Sequence, residues 1–396
     1  MDNKKLIPNL RFPEFNNSWE EKKLGEIKIK IIDGDRGKNY PTGNDFSRNG
    51  YCLFLNAKNV TKKGFVFNET SFITKEKDSL LRKGKLNKED IILTTRGSVG
   101  HISFYDENVI FNNIRINSGM IIIRNQTSII NNKYLYKYFN SIKIERYISK
   151  VSFGSAQPQL TVKEINSIPI SYPELSEQEK IASFLTDVDS KLTQLTKKKA
   201  LLENYKKGVM QKIFNQKIRF KDNKGNKFPN WKEKTLGEVS EITTGSSNRQ
   251  DSELNGKYTF FDRSEDIRTS SRYLFNGEAI IVAGEGSDFK PKYFKGKFDL
   301  HQRTYAIMNL KKQNSKFMFF LIHFHRKYFL SQAVGSTVKS LRLPMFKKMP
   351  VLLPVIEEQE KIANFLSEID IKIKTLNTKI ENNKGFKKGL LQKMFV

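Results

Sequence analysis

The chain has one cysteine, Cys52, which excludes an internal disulfide. Its four histidines, His101, His301, His323 and His325, have no zinc-ligand spacing with that cysteine. There is no Pro-Pro dipeptide, so the Asn/Asp-Pro-Pro-aromatic motif of an amino-methyltransferase is missing. Gly-Lys occurs at Gly37, Gly84, Gly256 and Gly296, but never before Ser or Thr, so no P-loop is present. Loose Glu-x-Lys triplets such as Glu26-Ile27-Lys28 fall short of the clustered carboxylates of a Mg2+ nuclease. No apolar run approaches the roughly 20 residues of a membrane span. The start, MDNKKLIPNLRFPEF, holds no hydrophobic signal core. These absences predict a soluble, cytoplasmic protein that is not an enzyme and binds no metal.

Acidic residues are also scarce: 42 Asp and Glu face 70 Lys and Arg, a formal charge of +28. Such a field favours a polyanion, nucleic acid first, with an anionic membrane surface as the rival. A length of 396 residues implies two or three domains, and 30 Phe with 14 Tyr are ample for their cores.

The chain repeats itself. Residues 154–214 align without a gap to residues 335–395, bringing PELSEQEKIASFL at Pro173 onto PVIEEQEKIANFL at Pro354. Upstream, FPEFNNSWEEKKLGEI from Phe12 resembles FPNWKEKTLGEV from Phe228 and matches Trp19 with Trp231. Agreement sustained at one offset is the mark of duplication. Between these frames the interiors diverge in length but share a plan. DIILTTRGSVG from Asp90 and AIIVAGEGSD from Ala279 each read as a buried strand running into a glycine turn. Strands follow at Ser118 and Thr304, then short helices at NKYLYKYFNSI and SKFMFFLIHFH. Each interior reads as a mixed α+β domain.

The repeated segment predicts a long amphipathic helix in each half. Ile181, Leu185, Val188, Leu192, Leu195 and Leu202 form one apolar seam; Ile362, Leu366, Ile369, Ile373, Leu376 and Ile380 form the other. Their 4,3 spacing is that of a heptad. Ser176 with Glu179 suits a capping box, and Glu177, like Glu357 and Glu358, suits the positive end of the helix dipole. About 38 residues at 1.5 Å each span about 57 Å. Either each helix packs on its own domain, or the two pair antiparallel as a spacer between two heads.

These features resemble the specificity subunit of type I restriction–modification systems, over nearly the whole chain. The resemblance rests on W-x4-LGE[IV] at Trp19 and Trp231, the strand–glycine segments, and above all P-x3-EQ-x-KIA-x-FL at Pro173 and Pro354. It implies an α+β architecture of two pseudo-repeated target-recognition domains separated by an antiparallel coiled coil. In chain order these are an N-terminal arm (1–17), a first recognition domain (18–172), a first spacer helix (173–217), a second recognition domain with its linker (218–353) and a second spacer helix (354–396). Each domain would read one half of a split double-stranded DNA site. The implied partners are two modification subunits, which bind S-adenosylmethionine and methylate adenine at N6, and restriction subunits, which use ATP and Mg2+. The chain itself would bind no cofactor. One departure is that SAQPQL at Ser155 is replaced by STVKSL at Ser336.

Base reading needs forked or amide donors, and phosphate contact needs charge. In the first domain the residues of those types in turns are Arg36 and Lys38, Thr94, Thr95, Arg96 and Ser98, and Asn113, Arg115 and Asn117. In the second they are Ser247, Asn248, Arg249 and Gln250, then Lys290, Gln302 and Arg303, with Lys339 and Arg342 near the helix junction. Glu285 suits acceptance from cytosine, or else repels phosphate. Tyr51, Phe54, Phe260 and Phe261 are either core or stacking residues, and the two tryptophans read as structural anchors. The sequence leaves two rival functions: a two-headed RNA-binding or scaffolding protein, and a stand-alone nuclease or methyltransferase.

Overall fold

The computed structural model describes residues 6–151 and 159–396. The chain forms two compact units: residues 1–194 with 380–396, and residues 195–379. These units do not follow the linear order of domains and helices. Each takes in the start of one long helix and the end of the other.

In the first unit a four-stranded antiparallel sheet runs in the order Ile29–Asp33, Met120–Asn125, Ile91–Thr94, Ile102–Phe104. The apolar runs IILT and MIII suit its inner strands because both sheet faces are covered. Alternate residues serve different cores, as the two-residue period of a strand requires. Ile91, Leu93, Ile121 and Ile123 pack with Trp19, Tyr134 and the first long helix. Ile92, Met120 and Ile122 pack with Leu53, Leu55, Ile114 and Ile116 of a second small sheet. The second unit repeats the division on a six-stranded sheet. Ile280, Val282 and Ile307 face the helical core, while Ala279, Ile281 and Ala306 face Phe261 and Phe298. Each fully buried side chain of this size contributes about 1.5–3 kcal/mol. Phe54, Phe260 and Phe261 lie in these interiors, as do both tryptophans.

The long helices span Leu175–Phe214 and Ile356–Lys393. The first start is built differently from the capping box expected at Ser176. Helix begins at Leu175, the Gln178 N–H donates to the Glu174 carbonyl, and the Ser176 hydroxyl donates to the Glu174 carboxylate at 2.8 Å. Glu177 is fully buried and takes both Nε and Nη2 of Arg11, at 2.8 and 2.7 Å. Glu358, equally buried, takes Nε and Nη2 of Arg219 at 3.1 and 2.6 Å. The next residue completes the clamp. Gln178 accepts from the Asn131 N–H at 2.9 Å and donates to the carbonyls of Ile129 and Pro173. Gln359 accepts from the Asn314 N–H at 3.0 Å and donates to the Pro354 carbonyl and the Gln313 side chain. Asn131 and Asn314 in turn cap the short helices Asn132–Phe139 and Ser315–Phe324. Aromatic contacts seal both clamps: Phe12 meets Phe184, and Phe220 meets Phe365, each edge-on at 5.8 Å.

The far ends are anchored too. In the first unit Phe395 lies on Tyr134 and Tyr138, at 5.7 and 5.5 Å. In the second Phe214 lies on Phe317 and Phe324, at 5.9 and 5.2 Å. The helices run antiparallel within each unit. In the second unit Lys199 meets Asn377 at 3.0 Å and Lys206 meets Asp370 at 2.5 Å, so a rise of seven residues on one helix is a fall of seven on the other. In the first, Asp189 bridges Lys387 and Lys137 at 2.6 and 2.7 Å, in the same register. Burial works against ionisation of Asp189, but the two lysines outweigh it and hold its carboxyl below the usual range. No helix among the described residues is long and apolar enough to cross a membrane.

Removing one member of a buried ion pair strands the other, at a cost of about 3 kcal/mol or more. Arg11→Ala is therefore expected to destabilise the first unit by that amount, and Arg11→Met with Glu177→Leu to recover most of it. The chain has only two tryptophans, so Trp19 fluorescence in a Trp231→Phe background reports urea unfolding of the first unit. An unchanged midpoint in Arg11→Ala would show that the clamp contributes nothing.

Candidate nucleic-acid interface

In each unit the turns of interest lie where the two central strands stop together. In the second unit Ala283 pairs with Thr304 at the last rung. The Gly284 N–H then donates to the Arg303 carbonyl at 2.9 Å, and the Gly284 carbonyl accepts from the Leu341 N–H at 2.7 Å. A Cβ on Gly284 would stand 2.7 Å from the Arg303 carbonyl, so only glycine permits this approach. The STVKSL segment braces the turn, because the Lys339 carbonyl accepts from the Gly286 N–H at 3.0 Å. Its counterpart at Ser155–Pro158 lies outside the described residues.

A cleft at this corner is lined by Asn248, Arg249, Gln250, Arg263, His301, Gln302 and Arg303. Gln302 donates to Asn248 at 2.5 Å, coupling two amide side chains. Glu285 accepts from both Arg263 and Arg303. Its burial favours the neutral form, yet the two guanidiniums outweigh that and hold its carboxyl below the ordinary glutamate range. His301 shifts the other way: burial, then the positive charge of Arg263, lower its pKa, so it is neutral near pH 7. Its Nδ1 accepts from the Arg303 N–H at 3.0 Å, which leaves the proton on Nε2 as a donor. Ser247 is not in this group. It is buried and donates to Asp299 at 2.5 Å, beneath Arg272. Arg249, Gln250, Lys290, Lys339 and Arg342 are exposed.

The first unit assembles a comparable corner. Thr94 pairs with Met120, and the Thr95 N–H donates to the Gly119 carbonyl at 2.8 Å. Asp35 fixes the adjoining loop by accepting from the N–H groups of Gly37, Arg82 and Lys83, at 2.7, 2.7 and 3.3 Å. Burial opposes ionisation of Asp35, and these three N–H groups overcome it, so its carboxyl lies below the usual range. Arg36 reaches the Ser118 carbonyl at 3.2 Å. Arg36, Lys38, Arg82, Lys83, Arg96 and Ser98 are exposed around this corner.

Several sequence candidates have other work. Arg115 is buried: its guanidinium binds Asp78 and the carbonyls of Asp78, Leu81 and Lys83. Thr94 and Thr95 are buried and spend their hydroxyls on the Ser98 and Gly119 carbonyls. Asn117 closes its own turn on the Gly119 N–H at 2.9 Å. Asn113 is half-buried, and its backbone carbonyl, not its side chain, accepts from the Leu53 N–H beside the strand ladder. Arg82, Lys83 and Arg263 join the exposed set without having been singled out in the sequence. The LRKGK run carried a usable signal, a basic triplet at a glycine turn. Arg263 was hidden among Asp262, Glu265 and Asp266.

The model for the type I restriction–modification DNA specificity domain matches residues 16–204 and again 229–383. The chain therefore belongs to that family, in which the role is sequence specificity, and the RNA-binding alternative is not favoured. A type I restriction enzyme specificity subunit of Methanocaldococcus jannaschii (MjaVIII) is 24% identical over 98% of this chain and 94% of its own. The Escherichia coli EcoDI specificity subunit is 29% identical over 38% of this chain, and that match spans about a third (34%) of the relative. Among solved structures, the type I restriction–modification S subunit of M. genitalium superposes with a TM-score of 0.67 at 14% identity, covering 98% of this chain and 99% of that one. A chain from a type I restriction–modification complex, described for its assembly and conformational transition, gives a TM-score of 0.56 at 16% identity, with 94% and 96% covered.

Arg115 and Arg96 should separate cleanly by stability. Arg115→Ala leaves Asp78 and several carbonyls with lost partners and is expected to cost about 3 kcal/mol. Arg96→Ala, on an exposed turn, should change stability by no more than about 0.5 kcal/mol. Thermal unfolding of the two variants checks this, and equal losses would contradict the assignment.

Proposed function

We propose that this chain reads a bipartite double-stranded DNA site, one half with each unit, and directs adenine-N6 methylation or ATP-dependent restriction by partner subunits. The observation that carries this reading is one architecture built twice around different exposed cations. The same clamp, the same strand ends and the same glycine turn recur, while Arg36, Lys38, Arg82 and Arg96 in one corner give way to Arg249, Arg263 and Arg303 in the other. Matched scaffolds with unlike side chains suit two unlike half-sites. The net charge of +28 supplies the sequence-independent phosphate attraction on which such reading is superimposed.

In this reading the chain is not catalytic and binds no cofactor. Two modification subunits bring S-adenosylmethionine, and restriction subunits bring ATP and Mg2+. The paired long helices act as a ruler for the gap between half-sites, supported by their antiparallel register within each unit.

Two experiments test the reading, both by sequencing methylated adenines in cells that carry this chain with its modification partner. Exchanging residues 20–153 for those of a relative should alter one half of the recognised site and leave the other intact. A change in both halves, or in neither, would contradict modular recognition. Inserting one heptad in register into both helices adds about 10 Å. The gap is then expected to lengthen by about three base pairs at 3.4 Å each. An active complex with its gap unchanged would rule out the ruler.

A further inference from the structure

Arg96 and Glu285 occupy the same place in the two units. Each follows the last paired strand residue by two positions, after Thr94 opposite Met120 in one unit and after Ala283 opposite Thr304 in the other. The residue before each makes equivalent backbone bonds. Thr95 and Gly284 donate to the carbonyls of Gly119 and Arg303, and accept from the N–H groups of Leu160 and Leu341. Arg96 and Glu285 then form equivalent bridges, to Gln159 and Ser340. One backbone position thus carries opposite charges in the two units.

The inversion is compensated locally. The Glu285 side chain is only 13% exposed and accepts from Arg263 and Arg303, which remain 45% and 60% exposed. One carboxylate with two guanidiniums leaves a net charge of +1, the charge of Arg96 alone. The Glu285 oxygens are already turned to the arginines, so this carboxylate is poorly placed to accept from cytosine. Each arginine donates through Nη1 to Glu285, leaving its Nε and Nη2 donors outside that contact. A fork held at one end and open at the other is pre-organised, because less rotamer freedom is lost when it docks.

We infer that this strand-end position is the specificity pivot of each unit: Arg96 itself reads a base in the first half-site, whereas Glu285 is a positioning residue that presents Arg263 and Arg303 to a guanine in the second. The ligand chemistry is the paired O6 and N7 acceptors of guanine in the major groove, which an arginine fork matches. The inference rests on the proposed reading of split DNA and adds to it which residues choose and how.

The test uses the full chain with its modification partner, with methylated-site sequencing of the unsubstituted protein and of Glu285→Gln, Arg263→Ala, Arg303→Ala and Arg96→Ala. Glu285→Gln keeps the shape and removes the charge that gathers the arginines. It is expected to relax preference at one or two base pairs of the second half-site, leaving the first half-site and the gap unchanged. Loss of either arginine should reduce guanine preference there by about tenfold to a hundredfold. Arg96→Ala should relax only the first half-site. The untouched half in each variant is an internal control that a general loss of folding would not spare. Because Arg263 and Arg303 are exposed, their variants keep the question answerable if Glu285→Gln proves unstable. An unchanged motif in both arginine variants, with weaker binding to all sequences and a shallower salt dependence, would make the pair a phosphate clamp and overturn the inference. A failure of the unsubstituted chain to give any split motif would instead overturn the reading beneath it.

Discussion

The buried carboxylate at the start of each long helix is the constraint on which the rest depends. Glu177 and Glu358 have no exposed surface, and an uncompensated charge there would cost several kcal/mol. Arg11 and Arg219 supply the compensation from the irregular segment that precedes each tryptophan, and the adjoining glutamines tie the helix start to the cap of a short helix in the same unit. Three elements in each unit, the long helix, the arginine-bearing segment and the short capped helix, are thereby fixed by two consecutive residues. Such a site is sensitive to substitution by design: apolar packing tolerates small changes in shape, whereas a charge without its partner does not.

From that fixed point the architecture leads directly to the corners with exposed cations. The short capped helix covers one face of the central sheet, and the sheet sets where its strands end. The strand ends place the glycine turn, whose backbone is bonded on both sides. Variation is then confined to side chains projecting from a rigid turn, and positions such as Arg96 and Glu285 can change sign without disturbing the fold. The surrounding charge economy follows the same logic. Glu285 does not weaken the positive corner, because it brings two arginines with it. Asp35 likewise spends its charge on backbone N–H groups that hold a basic loop in shape.

Much of the scaffold was legible in the sequence, and the reasons are local. A gapless repeat, a heptad seam and apolar strand runs are patterns of period and identity that need no partner to be recognised. The strand–glycine equivalence between Ile91 and Ile280 was visible because the backbone demands the same residues in both. The side-chain assignments fared differently. Arg115 has the composition of a reader but sits inside on Asp78, while Arg263 sits in an acidic stretch yet points to the cleft. Ser176 looked like a cap, but the chain turns into helix one residue earlier. Composition gives the kind of contact a residue makes, and its neighbours in space decide whether that contact is already taken.

By itself, the sequence determined that two copies of one frame exist, that each ends in a long amphipathic helix, and that the protein carries a strong positive field. Those properties are sums or periodicities along the chain. Only the tertiary structure decided that each compact unit uses the beginning of one helix and the end of the other, that the EQ pair is a buried clamp, and that Glu285, opposite Arg96 in the repeat, gathers Arg263 and Arg303. These depend on residues between 18 and 253 positions apart meeting at bonding distance, such as Arg303 with Glu285, Arg219 with Glu358 or Lys143 with the Val396 carbonyl. No local pattern encodes which distant partner satisfies a buried charge. That is settled by the fold as a whole.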